Sequence, residues 1–280
     1  MNTRPDMTDT LINNPAAFRD QYGPWAVIAG ASDGTGEQFA HQIAATGINC
    51  VLVSRRRAVL DGLAATLKQD YGVQTRVVVL DLGAPAAGRQ LCQSVADLEV
   101  GLFIANAGAD SNASTFTQGS LDAWNTLVNL NVTTPMDACH ILGRAMQERG
   151  RGGLLLMGSG LGIGGQPGTA VYCGVKGFSL NLAEALWAEL KPSGVDVINI
   201  AAPLMRTPTL ERNLGALADQ IPSIYDPKEV VRESLEQLPT GRCYIYPTGI
   251  PDESGDDITQ ARRNRVEKAI ALQKALFESL

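Results

Sequence analysis

Seven short apolar runs, separated by longer amphipathic stretches, constrain the fold of this chain more than any other feature. "WAVIAG" ends at Gly30, "NCVLVS" at Ser54, "TRVVVLD" at Asp81 and "VGLFIAN" at Asn106. "GLLLMGS" ends at Ser159, "VDVINIA" at Ala201 and "RCYIYP" at Pro247. Each run is continuously apolar rather than alternating, which is the pattern of a strand covered on both faces. Helical stretches lie between them at 36–45, 58–71, 121–148, 170–190 and 226–238, the last opened by Asp226 with Glu229 three positions on. Strand–helix alternation with crossovers of this length predicts a single α/β domain: a doubly wound parallel sheet of about seven strands with helices on both faces.

The length of 280 residues and an apolar content of 45% suit one large domain. We see no internal repeat and no dividing linker. The expected organisation is an N-terminal arm at 1–20, the α/β domain at 21–250 and a C-terminal helical extension at 251–280. That extension carries Ala261, Val266, Ala269, Ile270, Leu276, Phe277 and Leu280 along one helical stripe. The stripe suits packing on its own domain or donation to a partner subunit, and both readings stand. A net charge of −6 offers no electrostatic reason for a nucleic-acid or membrane partner. The polar, acid-bearing N-terminus is unlike a signal peptide, and no apolar run approaches bilayer-spanning length, so a cytoplasmic location is expected. The five scattered cysteines (Cys50, Cys92, Cys139, Cys173 and Cys243) contain no C-x-x-C and read as buried thiols, with no metal site expected.

The first apolar run leads into "GASDGTG", residues Gly30, Ser32, Asp33, Gly34, Thr35 and Gly36 among them. Glycines serve where a backbone turns tightly and must approach a pyrophosphate, and the following helix N-terminus offers N–H groups to the phosphates. Between a strand and a helix, with a second strand following, this string reads as a dinucleotide loop of a Rossmann-type sheet. A site that prefers NAD carries a carboxylate near the end of the second strand, to hold the ribose 2′-hydroxyl. Here that position is Ser54, followed by Arg55 and Arg56. A hydroxyl and guanidinium groups bind a 2′-phosphate that a carboxylate would repel, so NADP(H) is the expected cofactor. Arg55 is the first choice for that phosphate and Arg56 the second, with Arg57 facing solvent.

"TAVYCGVKGF" sets Tyr172 and Lys176 one helical turn apart. On its own such a pair is ordinary helix composition. Together with the glycine loop, "LDL" at 80–82, "NAG" at 106–108, "NVTTP" and Ser159 thirteen residues before Tyr172, the chain resembles the short-chain dehydrogenase/reductase family from residue 22 to 249. The resemblance implies a tetrad of Asn131, Ser159, Tyr172 and Lys176. A tyrosine hydroxyl, with an ordinary pKa of about 10, becomes a workable proton donor or acceptor once a lysine ammonium favours its phenolate. By the same resemblance, Ser159 polarises the substrate oxygen. Lys176 binds the nicotinamide ribose, and Asn131 holds a water that links Lys176 to solvent. Asp81 and Leu82 lie at the adenine; Asn106, Ala107 and Gly108 lie along the ribose; Pro203 and Thr207 lie at the carboxamide. A homodimer or homotetramer is implied as well.

Two positions depart from the family pattern. Ala29 stands where a threonine hydroxyl often braces the "NAG" segment, and Leu204 follows Pro203 where glycine is common. "YGPWAVIAGASDGTG" and "RTPTL" are similar to the branch of hydroxysteroid dehydrogenases and 3-oxoacyl-CoA reductases. The glycine-rich 158–168 leaves one flank of Tyr172 nearly free of side chains. Met205, Leu210, Leu214, Leu217, Ile221 and Ile224 offer an apolar cover on the other, or else an ordinary amphipathic packing face. A bulky hydrophobic, hydroxysteroid-like alcohol or ketone is the favoured substrate, with a 3-oxoacyl thioester or aromatic carbonyl as the alternative. A non-catalytic NADP-binding sensor is the rival from another class.

Overall fold

The computed structural model describes residues 14–109, 114–208, 210–211 and 224–245, and the backbone alone for 242–245. The expected C-terminal extension, 251–280, lies outside the described residues. Six strands, β1 (Trp25–Ala29), β2 (Asn49–Ser54), β3 (Thr75–Val79), β4 (Val100–Ala105), β5 (Gly152–Met157) and β6 (Val195–Ala201), form the body of a parallel sheet. A four-residue strand, β7 (Arg242–Ile245), closes one edge in parallel to β6. The order is β3-β2-β1-β4-β5-β6-β7, so the winding reverses between β1 and β4. The crevice outside the carboxyl ends of those two strands is where such sheets bind ligands.

The continuous hydrophobicity of the runs has a direct structural meaning. In β1, Ala26 and Ile28 pack into one core with Phe39 and Ile43 of α2 (Gly34–Ala45) and Leu60 of α3 (Arg57–Tyr71). Val27 and Ala29 of the same strand pack into the other core. They meet Leu91 of α4 (Ala87–Ser94), Leu142 of α6 (Thr134–Arg149) and Ala183 of α7 (Ala170–Leu190). Successive side chains point to opposite faces, and both faces are covered, so neither set can be polar. Between α4 and α6 comes α5 (Leu121–Val128), and α8 (Pro227–Gln237) follows the last crossover. Asp226 caps α8, its carboxylate accepting from the Lys228 N–H at 2.8 Å, as the sequence indicates. Burial pushes the Cys50 and Cys139 thiols up to about 12 and Cys92 to about 11, which keeps them neutral.

Three differences from the sequence reading have physical causes. Residues 15–20, expected within an arm, form helix α1 (Pro15–Tyr22), and residues 1–13 lie outside the described residues. Asn14 caps α1 by accepting from the Ala17 N–H at 3.2 Å, Phe18 and Tyr22 are fully buried, and the Tyr22 hydroxyl donates to Asp196 at 2.8 Å. Two large apolar residues in eight are too few for a periodic signal. The stretch 121–148 is not one helix either: a π turn, Asn129–Thr133, separates α5 from α6. Helix α4 was not foreseen, because its apolar side consists of Ala87, Gly88, Leu91 and Cys92, mostly small residues.

Candidate active site

At the end of β1 the chain turns at Gly30, with φ +94°, and enters α2 four residues later. A Cβ on Gly30 would lie 2.8 Å from the Ala107 nitrogen, and one on Gly36 would lie 1.8 Å from the Gly30 oxygen. Only glycines let this loop close on its helix and on the "NAG" segment. The missing Ala29 hydroxyl is made good by backbone, since the Ala29 carbonyl accepts from the N–H groups of Asn106 (3.1 Å) and Ala107 (2.7 Å). The Asn106 side chain adds its own brace, donating to the Gly30 oxygen at 3.0 Å and accepting from the Thr35 hydroxyl at 2.6 Å. Asp33, at the N-cap of α2, makes no side-chain capping bond, so the helix N-terminus is open to an anion.

The run after β2 lies beside this loop. Ser54 is buried and its hydroxyl accepts from the Arg56 N–H at 3.1 Å. Arg56 reaches back to Ser32 and Asp33, whereas Arg55 stands 4.0 Å from Asp81 with both side chains largely exposed. Arg57 faces solvent and pairs with Asp61 one turn on. Leu82 is buried and its carbonyl accepts from the Thr134 hydroxyl at 2.9 Å. A glycine cradle that any Cβ would fill, a helix N-terminus and two adjacent guanidinium groups together fit a phosphorylated dinucleotide.

On the other side of the switch point, α7 carries Tyr172 in its first turn and Lys176 one turn later. Lys176 is buried to 5% exposure, and its Nζ donates to the Met157 carbonyl at 2.8 Å and sits 5.5 Å from the centre of the Tyr172 ring. Removing the ammonium from water lowers its pKa from 10.5 to about 8. Asn131 lies in the π turn, its amide nitrogen donating to the Leu127 carbonyl at 3.0 Å. A Cβ on Gly108 would fall 2.2 Å from Asn131 Oδ1 and 2.8 Å from Lys176 Nζ, so these two side chains close on the same glycine. Ser159, just past β5, accepts from the Leu161 N–H at 3.2 Å, which leaves its own proton to donate elsewhere.

These pieces border one open cleft of about 690 Å³. Its walls include Gly30, Asp33, Gly34 and Thr35 from the first loop, Asn106 to Gly108 from the second, and Ser159, Tyr172, Lys176, Pro203 and Thr207. Thr207 rests on the phosphate loop, its methyl 3.0 Å from where a Gly34 Cβ would be. Ser32, Gly36, Ser54, Arg55, Arg56, Asp81, Leu82 and Asn131 are not among the lining residues. The flank at 158–168 is less bare than expected, because Leu161 and Gln166 also face the cleft, joined by Met157 and Thr169. No periodicity marks such loop residues in a sequence. On the opposite wall Leu204, Met205 and Leu210 line the cleft, and a Met205–Tyr225 bridge pins the two ends of that segment together. Leu214, Leu217 and Ile221 lie outside the described residues. Among the described residues no cluster of three His, Cys, Asp or Glu is placed to hold a metal, and no helix is long and apolar enough to cross a membrane.

A glycine cradle and a buried lysine beside a tyrosine at the same end of one doubly wound sheet fit the class of nicotinamide-dependent oxidoreductases. The particular family follows from comparison with known proteins. The model described as short chain dehydrogenase matches residues 24–215, and the chain belongs to that family. It is 32% identical over 224 residues to a 7beta-hydroxysteroid dehydrogenase of Collinsella aerofaciens, covering 79% of this chain and 85% of that protein. It is 33% identical over 229 residues to a very-long-chain 3-oxoacyl-CoA reductase of Neurospora crassa, covering 80% of this chain and 68% of the relative. Among solved structures, a short-chain dehydrogenase from Sphingobium yanoikuyae in complex with NADPH superposes with a TM-score of 0.76 at 27% identity, covering 87% of this chain and 95% of that one.

Proposed function

We propose that the protein is an NADP(H)-dependent oxidoreductase that interconverts a secondary alcohol and a ketone by hydride transfer, with Tyr172 as general acid and base. The observation that carries this reading is the burial of Lys176 against the Tyr172 ring on the wall of the cleft that the glycine loop opens. A bound nicotinamide would supply or accept the hydride, and the proton falls to the protein. Tyr172 gives its proton to the substrate oxygen in reduction and takes one in oxidation. With a pKa of about 8, Lys176 stays cationic at neutral pH and favours the phenolate beside it. Ser159, whose oxygen is already occupied by the Leu161 N–H, turns its proton toward the substrate oxygen. The dinucleotide would be held by residues 30–36, by Asn106, Ala107 and Gly108, by Lys176 at the ribose, and by Pro203 and Thr207 at the carboxamide. Asp81 and Leu82 would meet the adenine, and the arginines after β2 the 2′-phosphate.

The cleft is walled largely by apolar groups, among them Met157, Leu161, Leu204, Met205 and Leu210, with Gln166 and Thr169 as polar points. That lining suits a bulky hydrophobic, hydroxysteroid-like substrate, in keeping with the Collinsella relative. A 3-oxoacyl thioester is the second reading, supported by the 33% identity to the Neurospora reductase. Assembly as a homodimer or homotetramer belongs to the same proposal. The test is absorbance at 340 nm with NADP+ and a panel of steroid alcohols, and with NADPH and 3-oxoacyl-CoA substrates. Turnover on the steroid panel supports the first reading, and turnover on thioesters alone supports the second. Binding of NADPH without turnover of either would identify a sensor and overturn both.

A further inference from the structure

The substrate side of the cleft is apolar except at a few points, and those points are not equivalent. Gln166 and Thr169 belong to the segment that leads from β5 to α7, with Thr169 at the N-cap of the helix that carries Tyr172. The Gln166 carbonyl accepts from the Thr169 N–H at 3.3 Å and from the Thr169 hydroxyl at 3.2 Å. That hydroxyl has one proton, so in its 3.5 Å contact with Cys173 the thiol is the donor. Thr169 is therefore taken up in holding this segment against α7. Gln166 is placed the other way round. Its backbone carbonyl is pinned, the residue is half-buried on the cleft wall, and its side-chain amide forms no hydrogen bond among the described residues.

We propose that Gln166 is a specificity-determining residue that binds a second, neutral oxygen on the substrate, a hydroxyl or oxo group remote from the carbon that reacts; this rests on the hydroxysteroid-like reading above. An amide on an apolar wall loses its water when a bulky substrate fills the cleft, and without a partner that loss counts against binding. A substrate oxygen that meets the amide turns the same loss into discrimination against analogues that lack it. A primary amide both donates and accepts, so hydroxyl and oxo groups can each be bound. The charges of the cleft set the requirement for neutrality. Among the described lining residues only Asp33 and Lys176 are charged, and they stand at the glycine loop and beside Tyr172. The wall formed by Leu161, Gln166, Leu204, Met205 and Leu210 has no cation to pair with a carboxylate or phosphate. Because the Gln166 backbone is tied to the N-cap of α7, its side chain starts from a fixed offset to Tyr172, which reading a second position on one molecule requires.

The test uses the whole protein with NADP+, followed at 340 nm, on steroid alcohols in matched pairs. One member carries a second hydroxyl or oxo group at one of several ring positions, and the other lacks it; chromatography of the products identifies the carbon oxidised. At least one pair should differ about tenfold in kcat/KM in favour of the doubly oxygenated member, the effect of one hydrogen bond to a desolvated group. Gln166→Leu, close in size but unable to hydrogen-bond, should bring that pair within about twofold, the loss lying in the KM of the oxygenated member rather than in kcat. Gln166→Glu, which accepts but cannot donate when ionised, should keep a preference for a hydroxyl and lose one for an oxo group. A residue that merely braced the loop would lower kcat for both members and leave their ratio alone. Thermal melts confirm that each variant is folded. Equal kcat/KM within every pair, or a preference that survives Gln166→Leu, overturns the proposal and leaves the steroid reading intact. No turnover of any steroid alcohol overturns both.

Discussion

Lys176 is a charge that the packing of α7 on the end of β5 takes out of water, and its cost and its use are inseparable. Its pKa falls from 10.5 to about 8, so the folded state holds the proton less tightly than the unfolded chain. The stability penalty is therefore complete below about pH 8 and vanishes as pH rises toward 10.5. We expect Lys176→Met to be more stable than the wild type by about 1–3 kcal/mol at pH 7, after allowing for its lost bond to the Met157 carbonyl. Melting temperatures taken from pH 7 to pH 10 should show that advantage shrinking, and its activity should be nearly gone throughout. Tyr172→Phe tests the proton step directly. Turnover should fall about 10²–10⁴-fold while NADPH binding, followed by its fluorescence, stays within about twofold. At this scale the sequence was highly legible. Tyr172, Lys176 and Ser159 stand out only through the family resemblance, and the structure brings all three to one cleft wall. The burial of the amine and its tie to Met157 were not readable, because they depend on how α7 meets β5.

At the scale of elements, the loop from β1 to α2 and the π turn before α6 do most to shape the site. The first was legible, since glycine is the only residue for which a close backbone approach leaves a sequence mark. Gly36→Ala would set a Cβ 1.8 Å from the Gly30 oxygen. We expect it to weaken dinucleotide binding at least about 100-fold and to destabilise the fold by about 2 kcal/mol or more, as strained backbone contacts do. Fluorescence titration with NADPH and a urea melt would check both. The π turn left no such mark. The stretch 121–148 keeps a helical pattern throughout, and only packing against Gly108 and Lys176 shows why one extra residue per turn is needed, since it carries Asn131 to that contact. The apolar wall at 204–210 was read from composition, and the Met205–Tyr225 bridge that anchors it is purely tertiary.

For the whole molecule, the notable addition is α1, which is tied to β6 and to the turn before it. Tyr22 donates to Asp196 on β6, Gln21 donates to the Gly194 carbonyl at 2.9 Å, and Arg151 donates to the carbonyls of Asp20 and Gly23 at 2.8 and 3.0 Å. Burial, and then the Asp196 charge, push the Tyr22 hydroxyl well above its ordinary pKa, so it remains a donor at every physiological pH. We expect Tyr22→Phe to cost about 1–3 kcal/mol in a denaturant melt, because it strips a donor from a buried carboxylate. Its effect on NADPH affinity should be negligible. By itself the sequence supplied the apolar runs of the sheet, the glycine loop and, through the family resemblance, the candidate tetrad, because hydrophobic period, glycine placement and motif order are local properties. Tertiary structure alone decided that α1 packs into the core, which arginine reaches the glycine loop and which faces outward, and how Lys176 comes to be buried. Each of those depends on contacts between segments remote in sequence or on the path of a single side chain, and neither leaves a periodic trace in the chain.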